Sequence, residues 1–530
     1  MRAPALIPAL AAVALLSAGC GGDDDGTPPT ASRGAPNVVV VMTDDQDARS
    51  LAVMRRTRRL IGGRGATFDA AIASFPLCCP SRATFLTGQY AHNHGAQGNF
   101  PDTDGGGYVS LTEPERTLPA WLKAAGYRTA HVGKWASAPG TSVPPGWDRW
   151  MATTAQTSAR YYDFALTDGT GEEPLASVDQ VRFGASARDY HTDVVTRASA
   201  DLIRRWAPGR RPFFLSVAYL APHLGAGRGD AATRRCSPGA PVPAERHLSG
   251  LAGRSLPRPP SLDEADVSDK PRAVVRDTRL DDVEIEALER VHRCRLASLL
   301  AVDEGVGRII GALRAAGELG DTVLVFTSDN GYLLGEHRLA ARKNIPYEEA
   351  LRVPLLLAGP GIPAGGEVAA PVANLDLAPT ILQLAGAEQP RDLARPTDGG
   401  SLVPLARGDV SGADRAILIE GRYDTAESAR GFEVLSYVGV RTRRYLYAEH
   451  RRAAAPSREE GAATEIGAGE RIAVQLYDMQ RDPFQLENEA GTPAYRDVRR
   501  ELRRLLARLE ECEGSSCLAQ ASVPAPDAQE

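Results

Sequence analysis

The sequence predicts an α/β fold, a large and mostly parallel sheet sandwiched by helices, with a smaller α+β domain at its C-terminal end. Three observations carry this. Apolar runs of strand length alternate with helical patterns along most of the chain. The clearest of these runs each end on a polar, reactive residue. After Leu405 the composition breaks into shorter strand-like runs and a terminal helical pattern.

In chain order, residues 1–19 combine one basic residue, Arg2, with an apolar run that ends in small residues, the pattern of an export signal peptide and not of a membrane span. The ending Ser17-Ala18-Gly19-Cys20 resembles a bacterial lipobox, with the usual leucine shifted out by one to Leu16. Cys20 would then carry lipid, residues 20–36 would form a polar tether, and the mature protein would be membrane-anchored. An ordinary cleaved signal, with Cys20 incidental, would make it secreted instead.

Residues 37–405 read as the catalytic α/β domain. Four runs in it are strands: NVVVVM from Asn37, YRTAHV from Tyr127, PFFLSVAYL from Pro212 and TVLVFTS from Thr322. They hand over to Asp44-Asp45, Lys134, His223 and Asp329-Asn330 respectively. In open α/β sheets the ligand crevice lies outside the carboxyl ends of the strands, so four distant places are expected to build one site. Within RLASLLAVDEGVGRIIGALRAAG, Leu299, Val302, Val306, Ile309 and Leu313 share one helical face, and Gly317 supplies the stop. The stretch from about Gly225 to Asp282 is rich in Pro, Arg and Asp without period, and reads as a surface insertion near the site. Residues 406–515, with RYLYAEH and VRRELRRLLARLEE, form the smaller domain, and 516–530 a disordered tail.

Among the 530 residues, 61 are basic and 67 acidic, and no basic block marks a polyanion track, so nucleic acid is excluded as a partner. Seven cysteines in an exported chain raise the question of disulfides. Cys512 can pair with Cys517 and Cys236 with Cys294, while Cys78 and Cys79 are adjacent, where a bridge is strained.

The segment FPLCCPSRATFLTGQY contains Cys78-x-Pro80-Ser81-Arg82. Pro80 suits the first turn of a helix, which places Cys78 just before a helix N-terminus, where the dipole stabilises negative charge. On this motif, and across residues 37 to 490, the chain resembles the type I sulfatases of the alkaline phosphatase superfamily. The resemblance implies an alkaline phosphatase-like fold and oxidation of Cys78 to formylglycine by a formylglycine-generating or other sulfatase-maturing enzyme. It also implies a hydrated aldehyde, one hydroxyl of which attacks sulfur while the second later expels sulfate. Arg82 would hold the diol.

Asp44, Asp45, Asp329 and Asn330 are hard oxygen donors and no zinc-spaced Cys/His cluster occurs, which favours calcium, with magnesium second. The oxygen of residue 78 would complete the protein's share of the shell. Only Lys123, Lys134, Lys270 and Lys343 are lysine, in a chain that otherwise uses arginine. Lys134, in GKW, and Lys343, in LGEHRLAARKNIPYEEALRVPLLLAGPGI, lie in segments that match the family. A compact, acidic ammonium there suits contact with sulfate or the leaving oxygen. His223, in APH, resembles the family histidine that contacts sulfate and the leaving group, a general acid. The family's second histidine falls on Ala136 here, which leaves His94 and His337 as candidates for the base.

CCPSR, HNHG, GKW and QLYDMQRDPFQLEN are similar to the N-acetylglucosamine-6-sulfatase group. That implies a sulfated carbohydrate substrate, with aryl sulfates as artificial ones. Two alternatives stand beside it: a phosphodiesterase or phosphonate monoester hydrolase of the same superfamily, and a noncatalytic surface lipoprotein that binds sulfated glycans.

Overall fold

The computed structural model describes residues 34–527, apart from 101–105, 136–141, 172–173, 175–176, 226–235, 237–239, 250–252, 273, 393, 424–432, 455–466 and 468. The signal 1–19, Cys20, the tether up to residue 33 and Ala136 lie outside the described residues. No helix among the described residues is long and apolar enough to cross a membrane.

The larger part is built from β1 (Asn37–Thr43), β2 (Gly65–Ile72), β3 (Arg128–Gly133), β4 (Arg149–Ala152), β5 (Phe164–Asp168), β6 (Asp179–Phe183), β7 (Phe213–Ala218), β8 (Thr322–Ser328), β9 (Arg352–Val353), β10 (Leu355–Ala358) and β11 (Gly366–Ala373). Nine of these form one sheet in the order β11-β2-β10-β8-β1-β7-β3-β4, with β9 on β2, while β5 and β6 pair as a separate hairpin. The strands β8-β1-β7-β3-β4 are parallel throughout, β10 runs antiparallel between β8 and β2, and β2 pairs parallel with β11.

Strand β1 shows why its sequence is a continuous apolar run. Val38, Val40 and Met42 enter one core together with Trp121, Leu377 and Ile381. Val39 and Val41 enter the opposite core with Leu299, Val302, Val306 and Ile309. Both faces are covered by helices, so no polar alternation is needed.

The four runs read as strands from the sequence are β1, β3, β7 and β8, adjacent at the sheet's centre. Their last residues are also level with one another: Thr43 is opposite Ser328, Met42 opposite Ala218, and Ala218 opposite Gly133. Whatever follows each strand therefore leaves the sheet from the same edge.

The helix under β1 runs from Asp282 to Ala315 and so begins well before Arg295. Asp281 and Glu284 form a capping box that starts it there. Gly317 follows in the left-handed region at φ 80°. Cys236, in the insertion, is disulfide-bonded to Cys294 of this helix, and Cys512 to Cys517.

The smaller part is the antiparallel sheet β12 (Ile417–Tyr423), β13 (Glu433–Arg441), β14 (Tyr445–Ala454) and β15 (Glu470–Asp478), in sequence order. The helix Arg496–Glu510 buries Val498, Leu502, Leu505 and Leu509 in a core shared with Tyr437 and Val438 of the sheet and with Tyr90, Tyr347 and Leu351 of the larger part. Residues 516–527, expected to be disordered, lie along this core instead. Ala519, Ala521 and Val523 pack on it, the Ala521 amide donates to the Asp414 carbonyl at 2.7 Å, and the Tyr445 hydroxyl donates to the Pro524 carbonyl at 3.0 Å. A polar, proline-containing tail stays ordered because its small apolar residues have a surface to cover.

Candidate functional site

Cys78 is the first residue of the helix Cys78–Thr87, one place further in than the sequence suggested, with Leu77 extended before it and Pro80 in the first turn, where no amide donor is needed. Both Cys78 and Cys79 are buried and outside any disulfide, and they face different surroundings. The Cys78 Sγ lies 2.9 Å from Lys343 Nζ, 3.7 Å from Asp44 Oδ1 and 3.9 Å from Lys134 Nζ. The Cys79 Sγ lies 3.8 Å from the Asn99 carbonyl oxygen. Burial, reinforced by Asp44, pushes the Cys78 thiol up to about 12 against the pull of the two lysines.

One helical turn on, Arg82 points back under residue 78. Its Nε donates to Asp329 at 2.9 Å, and one terminal nitrogen donates to Asp329 at 2.8 Å and to Asp44 at 2.9 Å. The other donates to the Lys134 carbonyl at 2.7 Å. A planar fork that is 4% exposed thus ties together the ends of β1, β3 and β8. The other oxygen of Asp329 accepts the backbone amides of Asp45 (3.0 Å) and Asn330 (2.8 Å).

Lys134 emerges from β3 through Gly133, which sits at φ 112° and whose place no other residue could take, since a Cβ would fall 2.0 Å from the Ala218 carbonyl oxygen. Its Nζ is 2.5 Å from Asp44, and Lys343 Nζ is 2.6 Å from Asp45. Burial works against charge on Asp44 and Asp45, but the surrounding cations prevail and hold both below the ordinary carboxylate range. The remaining lysines serve elsewhere. Lys123 makes a surface ion pair with Asp148, and Lys270 is enclosed with Glu264 and the Leu486 carbonyl.

His223 places Nε2 3.9 Å from Asp44 and 3.8 Å from Asp45, while its Nδ1 lies 2.6 Å from the Leu224 carbonyl. A carbonyl only accepts, so the proton sits on Nδ1 and Nε2 faces the carboxylates as an acceptor. Burial, with Lys134, brings its pKa down to about 4, so the ring is neutral at neutral pH. The two candidate bases are not in this group. His94 is committed to the Thr84 hydroxyl and the Ala96 amide. His337 bonds Glu264 at 2.7 Å and stacks on Tyr347.

Asp44, Asp45, Cys78 and His223 offer ligand atoms that all lie within 4.8 Å of one another. Asn330 points its amide nitrogen at Asp45 (2.7 Å), and its Oδ1 is buried without a hydrogen-bond partner. An orphaned oxygen beside two paired carboxylates is a fit for a divalent cation. Two differences from the oxygen-only ligand set stand out. His223 joins the group, and Asp329 spends its oxygens on Arg82 and two amides.

Sequence reading missed Arg295. It comes from the helix Asp282–Ala315, is 2% exposed, and donates to the Asp45 carbonyl and, at 3.1 Å, to the Pro222 carbonyl. Its guanidinium stacks 4.7 Å over the Tyr332 ring. A signal was there: Arg295 lies four residues before Leu299, on the apolar stripe itself, where a charge demands partners.

The putative extracellular sulfatase Sulf-1 homolog of Caenorhabditis elegans is 34% identical over 374 residues, which is 70% of this chain and 49% of that protein. The N-acetylglucosamine-6-sulfatase of Homo sapiens is 32% identical over 385 residues, 70% of this chain and 64% of that one. The chain thus spans about half to two thirds of these relatives' lengths. A solved structure in complex with D-glucosamine-2-N,6-O-disulfate, described there as its substrate, shares the fold with a TM-score of 0.70 at 24% identity, and covers 90% of this chain and 98% of its own. A model for the C-terminal region of N-sulphoglucosamine sulphohydrolase matches residues 335–454. The sulfatase family model matches residues 36–387, from the first strand to the helix beyond β11, and the chain belongs to that family.

Proposed function

We propose that the protein is an exported hydrolase of sulfate esters on a sulfated carbohydrate, with residue 78 acting as nucleophile after its thiol is oxidised to formylglycine by a maturing enzyme. The observation that carries this is the setting of Cys78: a helix N-terminus with two ammonium groups and a carboxylate within 3.9 Å of its sulfur. Calcium, with magnesium second, is the cation proposed for Asp44, Asp45, residue 78, His223 and Asn330, with Asp329 held beside them by Arg82. When present, formylglycine supplies two hydroxyls on one carbon, and the cation supplies positive charge for sulfate oxygens.

The chain's own residues do the rest. Arg82 fixes Asp44 and Asp329, so the site does not rearrange as charge moves. Lys134 and Lys343 reach the nucleophile's atom from two sides, where one can hold a sulfate oxygen and the other can give a proton to the departing alcohol. His223 was expected to be a general acid, but with its proton committed to Leu224 it acts as an acceptor at Nε2, which suits a cation ligand or a receiver of a hydroxyl proton.

The similarity to N-acetylglucosamine-6-sulfatase and to an extracellular sulfatase supports a 6-sulfated hexosamine as substrate and an extracellular place of action. Residues 1–19 and Cys20 support export and a lipid anchor.

The test is mass spectrometry of the peptide holding residues 78–82 after coexpression with a formylglycine-generating enzyme, followed by sulfate release from an aryl sulfate. Aldehyde at residue 78 with sulfate release is the expected result. Faster cleavage of an aryl phosphodiester or phosphonate would transfer the protein to those chemistries. Glycan binding with no ester cleaved, despite the aldehyde, would make it a binding protein.

A further inference from the structure

The edge of the sheet opposite the site is crowded with arginine. Asn37, Thr322, Phe213 and Arg128 begin β1, β8, β7 and β3 level with one another. Gly65 begins β2 opposite Ala358, which is itself opposite Leu324 near the start of β8. Around these starts stand Arg64, Arg128, Arg205, Arg210, Arg211 and Arg314, drawn from four separate segments, which is why the sequence shows no basic block. Arg205 lies in the last turn of the helix His191–Trp206 that leads into β7, and Arg314 in the last turn of the helix that leads into β8.

All six are exposed or half-buried, and among the described residues none of them makes an ion pair. Arg211 donates to the Gly126 and Tyr127 carbonyls at 3.0 Å each. Nearby carboxylates are already taken: Asp148 by Lys123, Asp201 by Arg204 and Asp168 by Arg149. Glu318 and Asp321, just before β8, offset part of the charge. Arg128, Arg149, Arg205 and Arg211 converge with Asp148 and Trp206 on a cavity of about 390 Å³. Three guanidinium groups without a carboxylate partner, beside an indole, make a site for an anion that carries an apolar body.

The chain also enters the fold on this edge. The Tyr127 hydroxyl donates to the Pro36 carbonyl at 2.9 Å, so the residue before β1 is held beside Arg128. Strand β1 is 7 residues long at ~3.3 Å each, which sets this edge ~20 Å behind Asp44. A polymer held here would be turned away from Cys78, so the charge does not present substrate to the site. A surface of anionic headgroups fits it better. Such a surface is broad enough to meet scattered arginines, its phosphates pair with guanidinium forks, and an indole suits its headgroup layer.

We propose that this edge is a docking face for an anionic phospholipid surface, with the cavity between Arg128, Arg205 and Arg211 taking a phosphate headgroup, so that the site faces away from the membrane. This goes beyond the proposed sulfatase activity and needs no lipid on Cys20.

The test is cosedimentation of the mature chain carrying Cys20→Ser, which has no lipid, with vesicles of phosphatidylcholine alone or mixed with phosphatidylglycerol. Binding to the mixed vesicles alone, weakened by salt, is the expected result. Arg64→Gln, Arg210→Gln and Arg314→Gln together should weaken it by on the order of 100-fold, about fivefold for each charge near the surface. None of these three side chains makes a hydrogen bond or ion pair among the described residues, so the thermal midpoint should not move. Arg128→Gln with Arg205→Gln, which strips the cavity, should weaken binding by at least ~tenfold. Arg496→Gln, Arg503→Gln and Arg508→Gln together remove the same charge from another helix and should leave binding nearly unchanged. Equal binding to both vesicles, or equal loss in the two triple variants, would overturn the proposal. Tighter binding to heparin than to mixed vesicles, lost in the first triple variant, would overturn it in favour of a sulfated polysaccharide. Vesicle binding needs no turnover, so these outcomes are independent of whether any sulfate ester is cleaved.

Discussion

Replacing Arg295 by methionine removes a buried guanidinium that holds two loops of the site. In the native protein it satisfies the Asp45 and Pro222 carbonyls and stacks on Tyr332. A hydrogen bond to a charged group contributes about 1.5–3 kcal/mol, and the ring contact about 0.5–2 kcal/mol. Two such bonds and the ring contact sum to several kcal/mol, from which the desolvation that a buried charge suffers must be subtracted. The expected net loss is about 3 kcal/mol, read as a lower urea midpoint for unfolding. Activity should fall further than stability implies. Asp45 is held at φ 63°, a left-handed backbone, and the carbonyl that Arg295 anchors is its own. Freed of that anchor, the loop can shift by about an ångström, a displacement that costs on the order of 100-fold in kcat. Arg295→Lys keeps the charge but reaches only one carbonyl, so it should recover much of the stability and little of the rate. An Arg295→Met protein with an unchanged urea midpoint and normal kcat would refute the reasoning.

Cys78→Ala should abolish turnover, and Cys78→Ser should trap sulfate on the serine, whereas Cys79→Ser, whose thiol faces Asn99, should keep a large part of the activity. Sulfate release and intact-mass measurement separate these outcomes. Chelation should inactivate the enzyme and lower its melting temperature, calcium should restore both better than zinc, and Asp45→Ala should mimic the loss in a thermal-shift titration. Lys134→Arg and Lys343→Arg should each slow sulfate ester hydrolysis by at least ~100-fold with little change in stability, since a guanidinium is too large and too weak an acid for an ammonium's place. For the variant that has lost a proton donor, a nitrophenyl sulfate should suffer less than a sugar sulfate. His92 bridges Glu420 (3.2 Å) and the Cys512 carbonyl (3.0 Å), and although burial opposes its charge, these partners raise its pKa from 6.5 to about 9. A raised histidine contributes stability that is full below pH 6.5 and is lost as pH rises through 9. Thermal midpoints should decline across that window, and His92→Gln should flatten the decline.

The parts of the site that the sequence revealed are those in which a long apolar strand stops abruptly at a polar residue. Val38–Met42 before Asp44 and Val323–Thr327 before Asp329 are buried on both faces, so their boundaries are sharp in composition, and parallel packing makes their ends coincide. What stayed hidden depends on partners far away in sequence. The state of His223 is set by the Leu224 carbonyl and the two carboxylates it faces. The orientation of Asp329 is set by Arg82 on one oxygen and by the Asp45 and Asn330 amides on the other. Arg295 was concealed by a helix whose start, at the Asp281–Glu284 capping box, lay outside the periodic stretch that announced it. The tail after Cys517 carries no strong signal because small residues give little apolar surface of their own, and only the surface they meet decides whether they order.

The level ends of β1, β3 and β8 make the spacing of Asp44, Lys134 and Asp329 a property of hydrogen-bond register and not of loop length. Slipping one strand by a single residue would turn its side chains to the other face, so the sheet tolerates almost no change in phase. The crossovers are under no such restriction, because lengthening a surface loop costs little. The exposed stretches of the segment between His223 and Asp282 can therefore vary in length, whereas Ser261, Glu264 and Lys270 are buried against His337 and the Leu486 carbonyl and are held by packing. Variation in what this scaffold accepts can accumulate in those exposed stretches while what it does stays fixed.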